Sequence, residues 1–162
     1  MRRRRAANMT FPNEKEYPTL RASVTHRVGF SEVDPMGIVW FGRYAVFFEE
    51  ASGVLRDGCG LSHAAFFHAG IQPPVVKYEV EYLHPSRLDE VLTVRACLHG
   101  TEAARLNMSF QVCGPDGGLR VAARTVQVFV DVRSQAVCLV APSLWRQCLE
   151  RWKKGEFACL QG

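Results

Sequence analysis

The chain has 162 residues, of which 48% are hydrophobic and 22% charged. That is the size and make-up of a single globular domain with a full core, and it excludes a disordered chain. The formal net charge is +4, and four of the positive charges are Arg2, Arg3, Arg4 and Arg5; the remainder is near neutral, which argues against a nucleic-acid-binding protein.

Residues 1–20 read as a flexible N-terminal tail, with Pro12 and Pro18 breaking regular structure. The arginine run reads as a solvated part of that tail. No apolar run of signal-peptide or membrane-spanning length occurs, so a cytoplasmic protein without membrane insertion is expected. The six cysteines, Cys59, Cys97, Cys113, Cys138, Cys148 and Cys159, are scattered and read as free thiols. Cys59, His63 and His68 lie close together, but their spacing fits no common zinc pattern, so no metal is expected.

Ala22 to Ser31 alternates and is predicted to be a first strand. A loop with Asp34, Pro35, Gly37 and Gly42 comes next. Tyr44, Phe47, Phe48, Ala51 and Leu55 then recur at helical spacing and predict an amphipathic helix over 43–57, closed by Gly58 and Gly60. One helical turn is expected around 62–68. Strands are predicted at 75–83, 90–99, 103–113 and 119–132, with Gly114-Pro115-Asp116-Gly117-Gly118 as a hairpin turn. A short helix at 142–154 comes last, and residues 156–162 read as a C-terminal tail. The single domain is therefore placed at 21–155.

Consecutive strands joined by short turns pair antiparallel. Strands segregated from a helix give an α+β architecture, here a five-stranded antiparallel sheet wrapped around one long central helix. One helix covers only part of such a sheet, so the exposed remainder predicts a homo-oligomer, either a dimer or a dimer of dimers (a homotetramer).

Asp34, between Val33 and Pro35, is by itself only a turn residue. Its interest comes from its place just before the long helix. The free N–H groups of Phe41, Gly42 and Arg43 at the start of that helix form a positive pole able to hold a developing oxyanion. Gly37 and Gly42 would let a ligand approach the backbone closely. A carboxylate beside such a pole suits acyl transfer, either as a base on water or as a nucleophile on the acyl carbon.

The run Val28-Gly29-Phe30-Ser31-Glu32-Val33-Asp34-Pro35-Met36-Gly37-Ile38-Val39-Trp40-Phe41-Gly42-Arg43-Tyr44 resembles the signature of hot-dog-fold acyl-CoA thioesterases, of the 4-hydroxybenzoyl-CoA thioesterase type. Val80-Glu81-Tyr82-Leu83-His84-Pro85-Ser86-Arg87-Leu88-Asp89-Glu90 is similar to a second segment of that family. The resemblance implies the hot-dog fold, an acyl-CoA substrate of benzoyl type or of short or medium length, and no cofactor. It implies that Asp34 attacks or activates water, that the Phe41 backbone N–H polarises the thioester carbonyl, and that Trp40 and Tyr44 shape the acyl end. It also implies that Glu49 positions substrate or water. The chain departs from relatives of the Tol-Pal system, which carry a histidine where it has Phe41, and from the hydroxybenzoyl type, which has a small hydroxyl residue where it has His84. His84 remains a substrate-binding candidate. Arg87, Arg95, Arg120 and Arg124 are candidates for the CoA phosphates.

Two other readings stand beside this one. A dehydratase or hydratase on the same fold needs a catalytic histidine, and residues 31–43 contain none. A non-catalytic acyl-CoA-binding module needs only the pocket. The lack of a Gly-x-Ser-x-Gly motif argues against a serine hydrolase.

Overall fold

The computed structural model describes residues 9–12 and 14–162, so the Arg2–Arg5 run lies outside the described residues. Strand β1, Leu20–Arg27, alternates between buried and exposed positions, with Leu20, Ala22, Val24 and His26 inward. A short 3-10 turn at Phe30–Glu32 ends its run, so the predicted strand to Ser31 stops four residues early. The cause is local: Glu32 N–H bonds back to Gly29 O at 3.1 Å, and the Glu32 carboxylate accepts the Gly29 N–H at 2.8 Å.

A second 3-10 turn, Phe41–Arg43, leads into helix α1, Tyr44–Gly58. Its buried face carries Tyr44, Phe47, Phe48, Ala51 and Leu55, the predicted apolar stripe, together with Ser52 and Arg56. Phe47 and Leu55 are 0% exposed, and burying side chains of that size contributes roughly 2–3 kcal/mol each. Helix α2, His63–Ala69, is a full short helix; Ser62 Oγ caps it by accepting the Ala65 N–H at 3.1 Å, and Gly70 ends it at φ 67°.

The chain continues through β2 (Ile71–Gln72), β3 (Val75–Tyr82), β4 (Val91–His99), β5 (Arg105–Cys113), β6 (Leu119–Val128), β7 (Val130–Asp131) and helix α3 (Ser143–Lys153). The five-stranded sheet has the order β1-β4-β5-β6-β3, with each neighbouring pair antiparallel. Helix α1 lies against β1 and β4. The sheet wraps this helix as the pattern of elements predicts. The final strand does not run unbroken to Val132. The chain leaves the main sheet at Phe129, which is 0% exposed, and β7 pairs with β2 in a separate two-stranded sheet. Burying Phe129 against Phe66 of α2 and Trp145 of α3 turns the backbone out of register.

The packed body extends past both ends of the predicted domain. Tyr17 is 2% exposed, packs edge-on against Trp152 at 5.5 Å, and bonds Glu102. Trp152 donates to Pro18 O at 2.9 Å. Phe157 is also 2% exposed, with the Arg151 guanidinium over its ring. Residues 14–19 and 157–160 are thus fastened by aromatic packing that alternation patterns do not register. Among the described residues no helix is long and apolar enough to cross a membrane, and no cluster of His, Cys, Asp and Glu could hold a metal ion.

Candidate active site

Asp34 stands at the tip of a tight hairpin built by its own side chain. Its Oδ1 accepts the Met36 N–H at 2.8 Å and the Ile38 N–H at 3.4 Å. Its backbone N–H bonds Ile38 O at 2.8 Å, and Gly37 N–H bonds Asp34 O at 2.9 Å. Gly37 has φ 73°, the left-handed geometry that favours glycine. No residue presses on its α-carbon, so it is there for the turn. The Oδ2 of Asp34 takes no hydrogen bond among the described residues, leaving one carboxylate oxygen for chemistry.

The hairpin is zipped on both sides. Val33 bridges Val39, and Trp40 N–H bonds Glu32 O at 2.9 Å. Ile38 bridges Arg87, and Val39 N–H bonds the buried Ser86 O at 2.8 Å. The two sequence motifs, some fifty positions apart along the chain, therefore lie side by side. His84 is exposed beside them; its N–H bonds Arg120 O at 3.1 Å, and its ring has no partner among the described residues.

The helix pole begins earlier and more tightly than the sequence predicts. Arg43 N–H bonds Trp40 O at 2.9 Å, so it is not free. Phe41 and Gly42 precede that first bond, and their N–H groups have no partner within the turn. The Phe41 side chain is 64% exposed. Gly42 differs from the expected point of ligand approach: the indole of Trp40 lies over its α-carbon. Trp40 is half-exposed, and its ring centroid is 5.0 Å from that of Phe41.

Tyr44 is buried and forms part of the core. Its ring meets Phe47 at 5.6 Å and Tyr82 at 5.7 Å. Tyr82 Oη donates to Phe41 O at 3.1 Å, tying strand β3 to the helix pole. Tyr78, four residues earlier on the same strand face, packs edge-on against Phe48 at 6.4 Å. Burial pushes all three phenols up; Tyr78 reaches about 12, with Tyr82 adding to the shift. They stay neutral and can donate hydrogen bonds. Tyr78 and Tyr82 were missed from sequence, although two tyrosines at i and i+4 share one strand face.

Glu49 lies on the outward side of α1 and is not drawn to the Asp34 hairpin within this protomer. Its Oε1 is 2.7 Å from Arg56 and 3.7 Å from His63. Arg56 is 4% exposed, so Glu49 neutralises a buried cation. The acidic group that does serve the loop is Glu32. It accepts from Gly29 and meets His26 Nε2 at 2.8 Å, with Arg43 at 3.9 Å. Burial opposes its ionisation, but the Gly29 N–H, His26 and Arg43 together hold its carboxyl below the usual value. His26 packs at a tilt against Phe47, ring centroids 4.2 Å apart, and comes within 3.8 Å of Glu50, which joins β1, the loop and α1. Of the four candidate arginines, Arg95 is held by Gln111, Arg120 by Pro85 O and Asp116, and Arg124 by Glu79 and Thr10 O. The Arg87 side chain has no partner among the described residues.

The thioesterase-like superfamily profile matches residues 28–148. The 4-hydroxybenzoyl-CoA thioesterase of Pseudomonas sp. (strain CBS-3) is 28% identical over 114 residues, covering 66% of this chain and 81% of that protein. Among solved structures, DHNA-CoA thioesterase from Staphylococcus aureus superposes with a TM-score of 0.74 at 19% identity, covering 84% of this chain and 93% of that one. The protein SAV2348 from Staphylococcus aureus, solved in complex with CoA, gives 0.73 at 16% identity, covering 83% and 84%. These structural likenesses show the shared hot-dog fold.

Proposed function

The chain belongs to the thioesterase-like superfamily, and on that footing we propose that it hydrolyses an acyl-CoA thioester to a free carboxylic acid and CoA. The observation that carries the reading is the pairing of a half-engaged carboxylate with N–H groups that have no partner among the described residues. Asp34 is fixed through Oδ1 alone, and Phe41 and Gly42 offer N–H groups at the foot of the same hairpin.

In this reading the thioester oxygen accepts the Phe41 N–H, which draws charge from the carbonyl carbon. Asp34 Oδ2 then acts in one of two ways. It takes a proton from water as the water adds, or it adds to the carbon itself and water cleaves the resulting anhydride. In either case the carbon–sulfur bond breaks and CoA leaves as thiolate and takes up a proton; the acyl group gains one oxygen, from water directly in the first route, or from Asp34 in the second, where water adding to the Asp34 carboxyl carbon restores the carboxylate. The N–H donors act on the charge that develops on the oxygen, where they contribute most. No cofactor enters the scheme. Single turnover in 18O-labelled water separates the two routes, since only the anhydride route brings label into Asp34.

Trp40 and His84 frame the acyl and thioester region in this proposal, with the buried Tyr44 behind them, Gly37 shaping the hairpin turn, and Gly42 seating the Trp40 ring. Arg87, beside the hairpin and without a partner among the described residues, is the cation available to a CoA phosphate. Glu49 is retained as a positioning group on the outward face of α1, where a second protomer would bring it to substrate. A homodimer is part of the proposal. It is supported by the edge strand β3, which exposes Val75, Val76, Tyr78 and Tyr82, and by Val46 and Val54 on the uncovered side of α1. Sedimentation velocity tests it, with a monomer overturning this part.

Release of free thiol from a panel of acyl-CoAs, benzoyl-type and aliphatic, tests the activity. Asp34→Asn keeps an Oδ1 to accept the Met36 N–H, so the fold is expected to survive while turnover falls by roughly 10²-fold or more. Full turnover by the variant would overturn the assignment of Asp34. Wild type that binds acyl-CoA without releasing CoA would make the protein a binding module.

A further inference from the structure

The inward face of β1 ends on a polar side chain. Leu20, Ala22, Val24 and His26 point toward α1, and His26 stands opposite the fully buried Leu92 of β4. Alternation calls for an apolar residue there, and a polar one needs a partner. The proposed chemistry makes no use of this histidine. Its ring packs against Phe47 of α1 with centroids 4.2 Å apart, and Glu50, also on α1, lies 3.8 Å from Nδ1. The helix thus seats the ring. The other nitrogen, Nε2, meets the loop, 2.8 Å from Glu32 Oε2.

The direction of that bond follows from Glu32. Its carboxyl is held below the ordinary value and is ionised at neutral pH, so it accepts and His26 Nε2 donates. The two side chains are 20% and 11% exposed, and a hydrogen bond to a charged group is stronger than a neutral one. The same carboxylate accepts the Gly29 N–H at 2.8 Å, and Arg43 stands 3.9 Å from it. The backbone of Glu32 has a separate role. Its carbonyl accepts the Trp40 N–H at 2.9 Å, the rung at the base of the Asp34 hairpin. Asp34 comes two residues after this rung on one arm, and Phe41 comes one residue after it on the other. The rung therefore lies between the two groups that the chemistry needs.

We infer that His26 is a positioning residue for the proposed reaction: by holding Glu32 against β1 and α1, it fixes where the Asp34 carboxylate stands relative to the Phe41 N–H. This rests on the thioesterase reading of the same site. His26 touches no reacting atom in that scheme and acts through Glu32 alone. Without the Nε2 donor, a largely buried and ionised carboxylate keeps only the Gly29 N–H and the more distant Arg43. It turns toward water and draws the Trp40 rung with it. The bonds from Met36 and Ile38 to Asp34 Oδ1 lie inside the hairpin and survive, so the hairpin moves as a unit. What is lost is aim. Substrate still binds, but Asp34 Oδ2 and the Phe41 N–H no longer meet the same carbonyl group in the productive geometry.

The test compares two variants. His26→Phe keeps a flat ring against Phe47 and removes the donor; His26→Gln keeps an N–H donor at the place of Nε2. In the phenylalanine variant kcat is expected to fall roughly 10- to 100-fold with KM within about twofold of wild type. The glutamine variant is expected to recover kcat to within about threefold of wild type, because the bond to Glu32 is remade. Amide NMR spectra read the hairpin without substrate: the Met36, Ile38 and Phe41 N–H signals are expected to shift in His26→Phe and to return in His26→Gln. If His26→Phe does not fold, His26→Met takes its place with the same expectations. Unmoved amide signals, an unchanged kcat, a loss carried by KM, or equal losses in the two variants overturns the inference. Wild type that releases no CoA from any acyl-CoA sinks the thioesterase reading alone, and the amide signals then decide whether His26 holds the hairpin.

Discussion

The indole of Trp40 rests on the α-carbon of Gly42. A β-carbon built on Gly42 would stand 2.8 Å from Cε3 of the ring, and closer still to Cζ3 and Cη2. The ring therefore sits where it does because residue 42 has no side chain, and the two residues enclose the Phe41 N–H in sequence.

Gly42→Ala must push the ring away or shift the 3-10 turn. Overpacking of this kind costs about 1–3 kcal/mol. The expected outcome is a fall of roughly tenfold in kcat together with a lower Tm and a changed emission from Trp40. The other two tryptophans are buried and contribute a constant background. Unchanged kcat and emission would mean that the ring does not set the pole.

Tyr82→Phe deletes the hydroxyl that holds Phe41 O at 3.1 Å. A hydrogen bond at a half-exposed site is worth about 0.5–1.5 kcal/mol. Loss of it loosens the Phe41–Gly42 peptide, which carries the Gly42 N–H and adjoins the proposed Phe41 donor, so kcat is expected to fall roughly three- to tenfold with KM little changed. A selective rise in KM would instead place Tyr82 in ground-state binding.

Glu32 ties the loop to β1 and α1, and its carboxyl is held below the ordinary value in the folded state. A depressed carboxyl adds stability that is present above its unfolded pKa and lost as pH falls through the folded one. Glu32→Gln is expected to lower stability at neutral pH and to flatten the acid limb, so that the wild-type and variant curves converge in acid. Denaturant unfolding across that range measures it; parallel curves would show that the carboxyl's charge does not hold the loop.

His99 is 4% exposed, with Nε2 on Ser109 at 2.7 Å and Nδ1 unpartnered among the described residues. Burial, with Arg21 adding to it, pushes its pKa down to about 4. The unfolded chain then binds the proton first, so stability is full above the ordinary histidine value and falls as pH drops toward 4. The loss across that window is of the order of 2–3 kcal/mol. His99→Gln is expected to remove most of this slope, read by urea unfolding at three pH values within it. An unaltered slope would place the titration elsewhere.

Much of the site was legible because it is local. Asp34, Pro35 and Gly37 specify a tight turn, and the apolar spacing from Tyr44 to Leu55 specifies the helix after it. The surroundings of Glu49 were not legible, because helical spacing shows that it faces outward but not that a buried Arg56 waits seven residues on. Glu32 and His26 went unassigned because their contact depends on β1 and the loop meeting in space. The N- and C-terminal segments were read as tails because Tyr17, Trp152 and Phe157 pack in a small cluster with no periodic signature.

The sequence by itself determined the long helix, the five main strands, their order and the turn that carries Asp34, since each depends on residues within a few positions of one another. The tertiary structure decided what stands next to that hairpin. Strand pairing placed Ser86 and Arg87 against Ile38 and Val39, and Tyr82 against Phe41. Those neighbours are set by register between strands far apart in the chain, and a one-residue slip would have turned each of them to the opposite face.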